Sequence, residues 1–242
     1  MDTKNTHNKN EFIRGVKDGF PICLGYFSVA FAFGIFTVAN GLTGIEALLI
    51  SMTNVTSAGQ LASIPIIAGG GTFIELAVSQ VVINLRYALM SVSLSQKLDD
   101  SIKLRHRFLI AFMNTDEVFG VAMGNRENVN KIYMYGLILT PYLGWSAGTI
   151  AGALAGDILP SIVTNALGVA IYGMFVAIVL PVAKKDKYTA ACVIIAIILS
   201  CIFYYVPVLK TVPSGFVIII CGCIASGIMA FLHPIESTED KK

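Results

Sequence analysis

The sequence predicts an all-α integral membrane protein: a polytopic helical bundle with about six full spans plus two broken or re-entrant polar segments. Three observations predict it. Hydrophobic residues fill 55% of the 242 positions, against roughly 45–50% in an average soluble domain even with glycine counted. Charged residues make up only 13%, about half the usual share. The charge is also segregated, since of the 17 lysines and arginines only Arg86 lies inside a long apolar run.

A spanning helix takes about 20 mostly apolar residues, and the chain supplies several such runs in order. Residues 1–19 are polar and basic and read as a cytoplasmic N-terminal segment. The first run, Phe20–Ala39, is followed by Phe73–Ser95, Ile132–Ala155, Ile162–Ala183, Tyr188–Pro207 and Ser214–Leu232. Residues 234–242 form a polar tail, so one transmembrane domain is expected over 20–233. No A-x-A-like site closes the first run, and a cleaved leader is not expected.

Basic residues cluster at Lys4–Lys17, at Lys97–Arg107, at Arg126 with Lys131, and at Lys184–Lys187. The positive-inside rule places those clusters in the cytoplasm. With both termini inside, six runs satisfy it. Two segments stay outside that count. Ile45–Ala68 is interrupted by "SMTNVTSAGQLASIP", and Phe108–Met123 is short and contains Asp116 and Glu117. Taking both as full spans would put the "KLRHR" loop on the wrong side, so both are read as re-entrant or broken. Irregular backbone at membrane depth survives where protein buries it or it lines a watery cavity, and transport sites are sought there. A faint internal likeness, open also to chance similarity between two small-residue helices, points the same way: "PICLGYFSVAFAFG" from Pro21 is similar to "PYLGWSAGTIAGALAG" from Pro141.

The residues also exclude several classes. The net charge of +2 reflects membrane orientation and does not point to nucleic acid. The five cysteines lie in apolar runs, and Cys221-x-Cys223 separates its thiols by about 200° on a helix, which suits packing and not a metal clip. His7, His106 and His233 lie in or beside polar ends, and no phosphate loop or hydrolytic triad is in place. No enzyme, metal or cofactor is expected.

Four features carry what chemistry there is. Gly144, Gly148, Gly152 and Gly156 form a ridge that lets helix backbones approach closely. In Phe73–Ser95, Glu75, Ser79, Arg86 and Ser93 share one stripe, while Gln80, Asn84, Ser91 and Ser95 share a nearly opposite one. A helix polar on two faces is expected inside the bundle. Arg86 near mid-bilayer costs from about 3 to over 10 kcal/mol unless paired, and Asp116 and Glu117 are the nearest acids outside its own helix. Adjacent carboxylates disfavour joint ionisation, the property a proton relay uses. The competing readings are a purely structural ion pair and, for Asp116, a helix N-cap contested by Thr115. Finally, the Thr53–Gln60 break offers hydroxyls, amides and freed backbone, and half-helix N-termini of this kind hold carboxylates; a polar helix interface is the alternative.

"NLRYALMSVSLS" from Asn84 followed by "TDEVFGVAM" from Thr115 resembles the AzlC/YgaZ family of branched-chain amino acid exporters. The "GFPICLGYFSVAFAFG" and "SAGQ" stretches fit the same pattern, and a weaker likeness extends over "LGVAIYGMFVAIVLP" from Leu167. The resemblance implies export of leucine, isoleucine, valine or other hydrophobic amino acids. It also implies a small, separately encoded membrane subunit of the AzlD/YgaH type. The motif residues carried over are Gln60, Asn84, Arg86, Asp116 and Glu117. Two departures, Leu61 in place of phenylalanine and "AIYG" in place of an Asp-Phe, bear on substrate more than on fold. From the residues alone, a polar-lined channel and a non-transporting scaffold remain open beside proton antiport.

Overall fold

The computed structural model describes residues 2–156, 158–160, 162, 173, 176 and 179–233. The Ile162–Ala183 run, the "AIYG" departure and the polar tail therefore lie largely or wholly outside the described residues. Among those residues the secondary structure is helical: α1 (Asp2–Ala39), α2 (Gly44–Thr53), α3 (Ala58–Ala68), α4 (Phe73–Ser95), α5 (Leu104–Phe112), α6 (Asp116–Gly124), α7 (Lys131–Gly156), α8 (Lys187–Tyr205) and α9 (Ser214–Leu232), with a 3₁₀ turn at Leu209–Thr211. Five of these helices are long and apolar enough to cross a membrane: α1, α4, α7, α8 and α9.

The chain forms two compact units, Met1–Ile64 with Ile83–Ile171, and Pro65–Val82 with Tyr172–Lys242. The first is organised by α1 and α7, which run parallel in close backbone contact. A methyl group placed on Gly136 would meet the carbonyl oxygen of Phe12 at 2.3 Å, one on Gly148 that of Phe27 at 2.4 Å, and one on Gly152 that of Phe31 at 1.9 Å. The expected glycine ridge is therefore the seam of this pair, and Gly15 and Gly34 return the contact from α1. The parallel pairing also brings together the aromatic residues at matching places in the two repeat-like stretches. Tyr26 follows Leu24-Gly25, Trp145 follows Leu143-Gly144, and their rings meet edge-on at 5.0 Å. Around them Tyr133, Met134, Leu137, Val118 and Met113 form the buried core.

Helix α1 starts at Asp2, not at the first apolar run. Its 38 residues extend about 57 Å at 1.5 Å each, well beyond a hydrocarbon core of about 30 Å. The polar half stays helical because α7 holds it. Glu11 accepts a hydrogen bond from Asn130 Nδ2 (2.8 Å) and pairs with Arg14 (3.1 Å), while Tyr133 Oη donates to Asp18 (2.8 Å).

The two segments set apart as interrupted are each a pair of short helices. Asn54 ends α2, Ser57 takes a left-handed φ of 54°, and α3 follows. Met113 ends α5, and Thr115 caps α6 by accepting from the Val118 N–H. Thr115, not Asp116, is thus the N-cap.

Helix α4 departs from expectation. It is expected inside the bundle, yet Ile74, Val81, Leu85, Leu89 and Val92 are more than 60% exposed. Their spacing of seven, four, four and three residues makes one apolar stripe at the helical period. The two polar stripes leave room for that face, which suits lipid or a partner. In the second unit α8 packs on α9, and the buried Glu75 of α4 accepts the Gly215 N–H through Oε1 at 3.0 Å. A distant carboxylate thereby satisfies one of the orphan donors at the start of α9.

Candidate functional site

The break between α5 and α6 places the acidic pair. Consecutive helix residues lie about 100° apart, so Asp116 and Glu117 face different neighbours. Asp116 Oδ2 meets Arg86 Nη1 at 2.7 Å, each side chain being close to half exposed. Glu117 Oε2 accepts from Tyr26 Oη at 2.5 Å. Both acids occupy the first turn of α6, where the helix dipole and free N–H groups favour negative charge. Arg86 is steadied from its own helix: Nη2 donates to Tyr87 Oη at 3.0 Å, and the guanidinium lies 4.8 Å from that ring's centre. Asn114, immediately before the cap, donates to Ser91 Oγ of α4 at 3.1 Å. The loop is thus tied to α4 by one ion pair and one neutral bond.

The α2–α3 break makes a second polar knot in the same unit. Gln60 is fully buried and donates through Nε2 to Ser51 Oγ at 3.0 Å. Ser51 and Thr149 share a hydroxyl–hydroxyl bond of 2.5 Å, and Thr149 Oγ1 donates to the Trp145 carbonyl at 3.1 Å. Through Trp145 and Tyr26 this knot reaches Glu117. Three buried atoms along the way have no partner among the described residues: Gln60 Oε1, Asn114 Oδ1 and Trp145 Nε1. An unpaired buried polar group costs about 1–3 kcal/mol, and such groups concentrate where strain, function or a bound water or ion accounts for them.

The expected residues are therefore distributed in three ways. Arg86 and Asp116 are in contact, and Glu117 stands beside them on its own partner. Gln60 touches none of them and joins the site through Ser51, Thr149 and Trp145. Asn84 is partly buried on α4, about 200° round the helix from Arg86. Sequence reasoning overlooks Tyr26, Asn114, Trp145 and Thr149 as site residues. The likeness between the "PICLGY" and "PYLGW" stretches held the one available signal, because it puts Tyr26 and Trp145 at equivalent places.

Comparison with known proteins decides the family. The profile of the AzlC protein family matches residues 21–159, a stretch that contains every residue of both knots. The chain belongs to the AzlC protein family. An uncharacterized membrane protein of Archaeoglobus fulgidus is 35% identical over 182 residues, covering 74% of this chain and 80% of that protein. The inner membrane protein YgaZ of Escherichia coli is 27% identical over 229 residues, 91% of each chain. No solved structure matches. With its apolar helices and membrane-protein relatives, this AzlC family member is a polytopic membrane protein.

Proposed function

We propose that this AzlC family member is a transporter that exports branched-chain or other hydrophobic amino acids across the cell membrane in exchange for protons. It works with a small membrane subunit of the AzlD/YgaH type, and both its termini are cytoplasmic. The observation that carries the reading is the accessible Arg86–Asp116 pair at the start of a half-helix. An ion pair whose two members are half exposed can be split by an incoming zwitterion. The substrate carboxylate then takes Arg86, and its ammonium takes Asp116. Glu117, held by the neutral Tyr26 hydroxyl, carries the exchanged proton. Gln60 and the start of α3 give the carboxylate a second polar contact, the partnerless Trp145 Nε1–H supplies a donor, and Asn84 lines the opposite face of α4.

Efflux of labelled isoleucine from proteoliposomes under an imposed pH gradient, with and without the small subunit, tests this. Wild type is expected to show saturable, gradient-driven efflux, and Asp116→Asn and Arg86→Gln to lose it while remaining folded by thermal unfolding. Normal efflux by both folded variants would reduce the pair to a structural clamp. Flux that fails to saturate would make the protein a channel.

A further inference from the structure

An apolar groove of about 380 Å³, lined by neither Arg86 nor Asp116, lies on the first unit. Phe12 of α1, Leu109 and Phe112 of α5, and Tyr135, Leu139 and Tyr142 of α7 wall it. Helix α5 runs the same way as α7, because His106 bonds Tyr135 at one end and Phe112 packs on Tyr142 at the other, 6.3 Å between centres. All three walls therefore begin at the same end. Each wall carries a cation one turn before its first lining residue: Lys9 before Phe12, Arg105 before Leu109, and Lys131 before Tyr135. Among the described residues neither these three nor Lys103 enters an ion pair. Three of these cations, Arg105, Lys131 and Lys103, act together on His106. Desolvation first, and then the fields of Arg105, Lys131 and Lys103, hold its pKa below the usual histidine range.

An apolar slot that ends in a ring of unpaired cations has the chemistry of an amphiphile with a negative head. We propose that the groove is a binding site for an anionic phospholipid of the leaflet that meets the Lys97–Arg107 loop. One acyl chain lies between α1, α5 and α7, and the phosphate sits among Lys9, Arg105 and Lys131. Basic pockets between membrane helices hold anionic headgroups in this way. Charge complementarity selects the occupant, since a zwitterionic lipid carries a cation of its own to the same ring. Because Phe112 directly precedes the Met113–Thr115 break, the lipid also braces the loop that presents Asp116.

Native mass spectrometry of the full chain, purified in neutral detergent and titrated with phosphatidylglycerol or with phosphatidylcholine of identical chains, tests the site. Each cation near an anionic headgroup contributes about fivefold in binding, so phosphatidylglycerol is expected to bind roughly tenfold more tightly or better. The triple variant Lys9→Gln, Arg105→Gln, Lys131→Gln is expected to bring the two lipids within about twofold. A control variant, Lys184→Gln with Lys185→Gln and Lys187→Gln, is expected to keep the preference. Leu139→Trp fills the slot and is expected to weaken both lipids while leaving thermal unfolding intact. Equal binding of the two lipids by wild type, or a preference the triple variant retains, overturns the proposal. So does a Leu139→Trp protein that keeps wild-type lipid binding but releases a co-purified small subunit, which would make the groove that subunit's seat.

Discussion

Gly152→Ala gives the clearest test of how the fold is held. The added methyl would lie 1.9 Å from the Phe31 carbonyl oxygen, with Phe31 C and Cα at 2.7 and 2.8 Å. All three are backbone atoms and no side chain can rotate aside. Ordinary contact begins near 3.4 Å, so α1 and α7 must part locally by about 1.5 Å. A gap of 0.5–1 Å already forfeits roughly a quarter to a half of a dispersion contact, and neighbouring seam contacts open with it. Overpacking costs about 1–3 kcal/mol, and this position belongs at the upper end. Alanine's better helix propensity returns about 1 kcal/mol, leaving a net loss near 2 kcal/mol. At about 2–4 °C per kcal/mol for a chain of this size, Tm should fall by about 4–8 °C. Gly156→Ala is the internal comparison, because there the methyl meets Ile35 Cα at an ordinary 3.4 Å; its Tm should hold or rise. The single tryptophan of the chain, Trp145, is buried at this seam, so its fluorescence reports the unfolding of the pair directly. Equal Tm values for the two variants would refute the backbone-contact argument.

Three further outcomes follow from single contacts. Tyr26→Phe removes the hydroxyl hydrogen-bonded to Glu117, so the pH profile of isoleucine efflux should shift while Tm changes little; an unmoved profile would detach Glu117 from proton exchange. Glu75→Ala strands the buried Gly215 N–H and should cost about 1–3 kcal/mol of stability, whereas Glu75→Gln, which keeps an acceptor oxygen for it, should retain most of it in the same unfolding assay. The third outcome concerns acid. Burial and the neighbouring cations depress the folded pKa of His106, so in the window below the unfolded value near 6.5 the unfolded chain holds more protons. Its contribution to stability is complete above that window and declines as pH falls through it, and His106→Gln should flatten that part of a Tm-against-pH curve.

Much of the fold was legible because hydropathy is read directly by the bilayer. The run boundaries of α4, α7, α8 and α9 fall within a few residues of the helices, and the Gly144–Gly156 ridge announced a close helix pair. Hydropathy could not show that residues 2–19 continue α1, since that half is held by side chains that look merely polar: Glu11 with Asn130, Asp18 with Tyr133. The helical wheel of α4 does leave an apolar face between its two polar stripes, but the reading of a helix polar on two faces as an interior one overlooked it. At the site, composition singled out Arg86 and the two acids because charges are costly in lipid. Their neutral partners carry no such signal. Tyr26, Trp145, Ser51 and Thr149 are ordinary residues of apolar runs until the parallel packing of α1 and α7 brings them to the breaks.

The division of labour between the two acids leads to a last prediction about substrate form. Arg86 already has a counter-ion in Asp116, so its charge is compensated before any substrate arrives. A zwitterion entering the pair exchanges one ion pair for two and leaves the net charge unchanged, which matters where desolvating a lone charge is costly. A ligand with only one charge gains nothing comparable. An amino acid amide brings an ammonium to Asp116 but leaves Arg86 without an anion, and an N-acetyl amino acid brings a carboxylate to Arg86 but leaves Asp116 without a cation. Because the pair is close to half exposed, leaving one member uncompensated costs on the order of 1 kcal/mol, equivalent to about fivefold in affinity. Competition against labelled isoleucine efflux in proteoliposomes should therefore show isoleucine competing strongly, and isoleucine amide and N-acetylisoleucine about fivefold more weakly. If either analogue competes as well as isoleucine, the substrate does not split the Arg86–Asp116 pair, and recognition must rest on the apolar side chain and the partnerless donors and acceptors around Trp145 and Gln60.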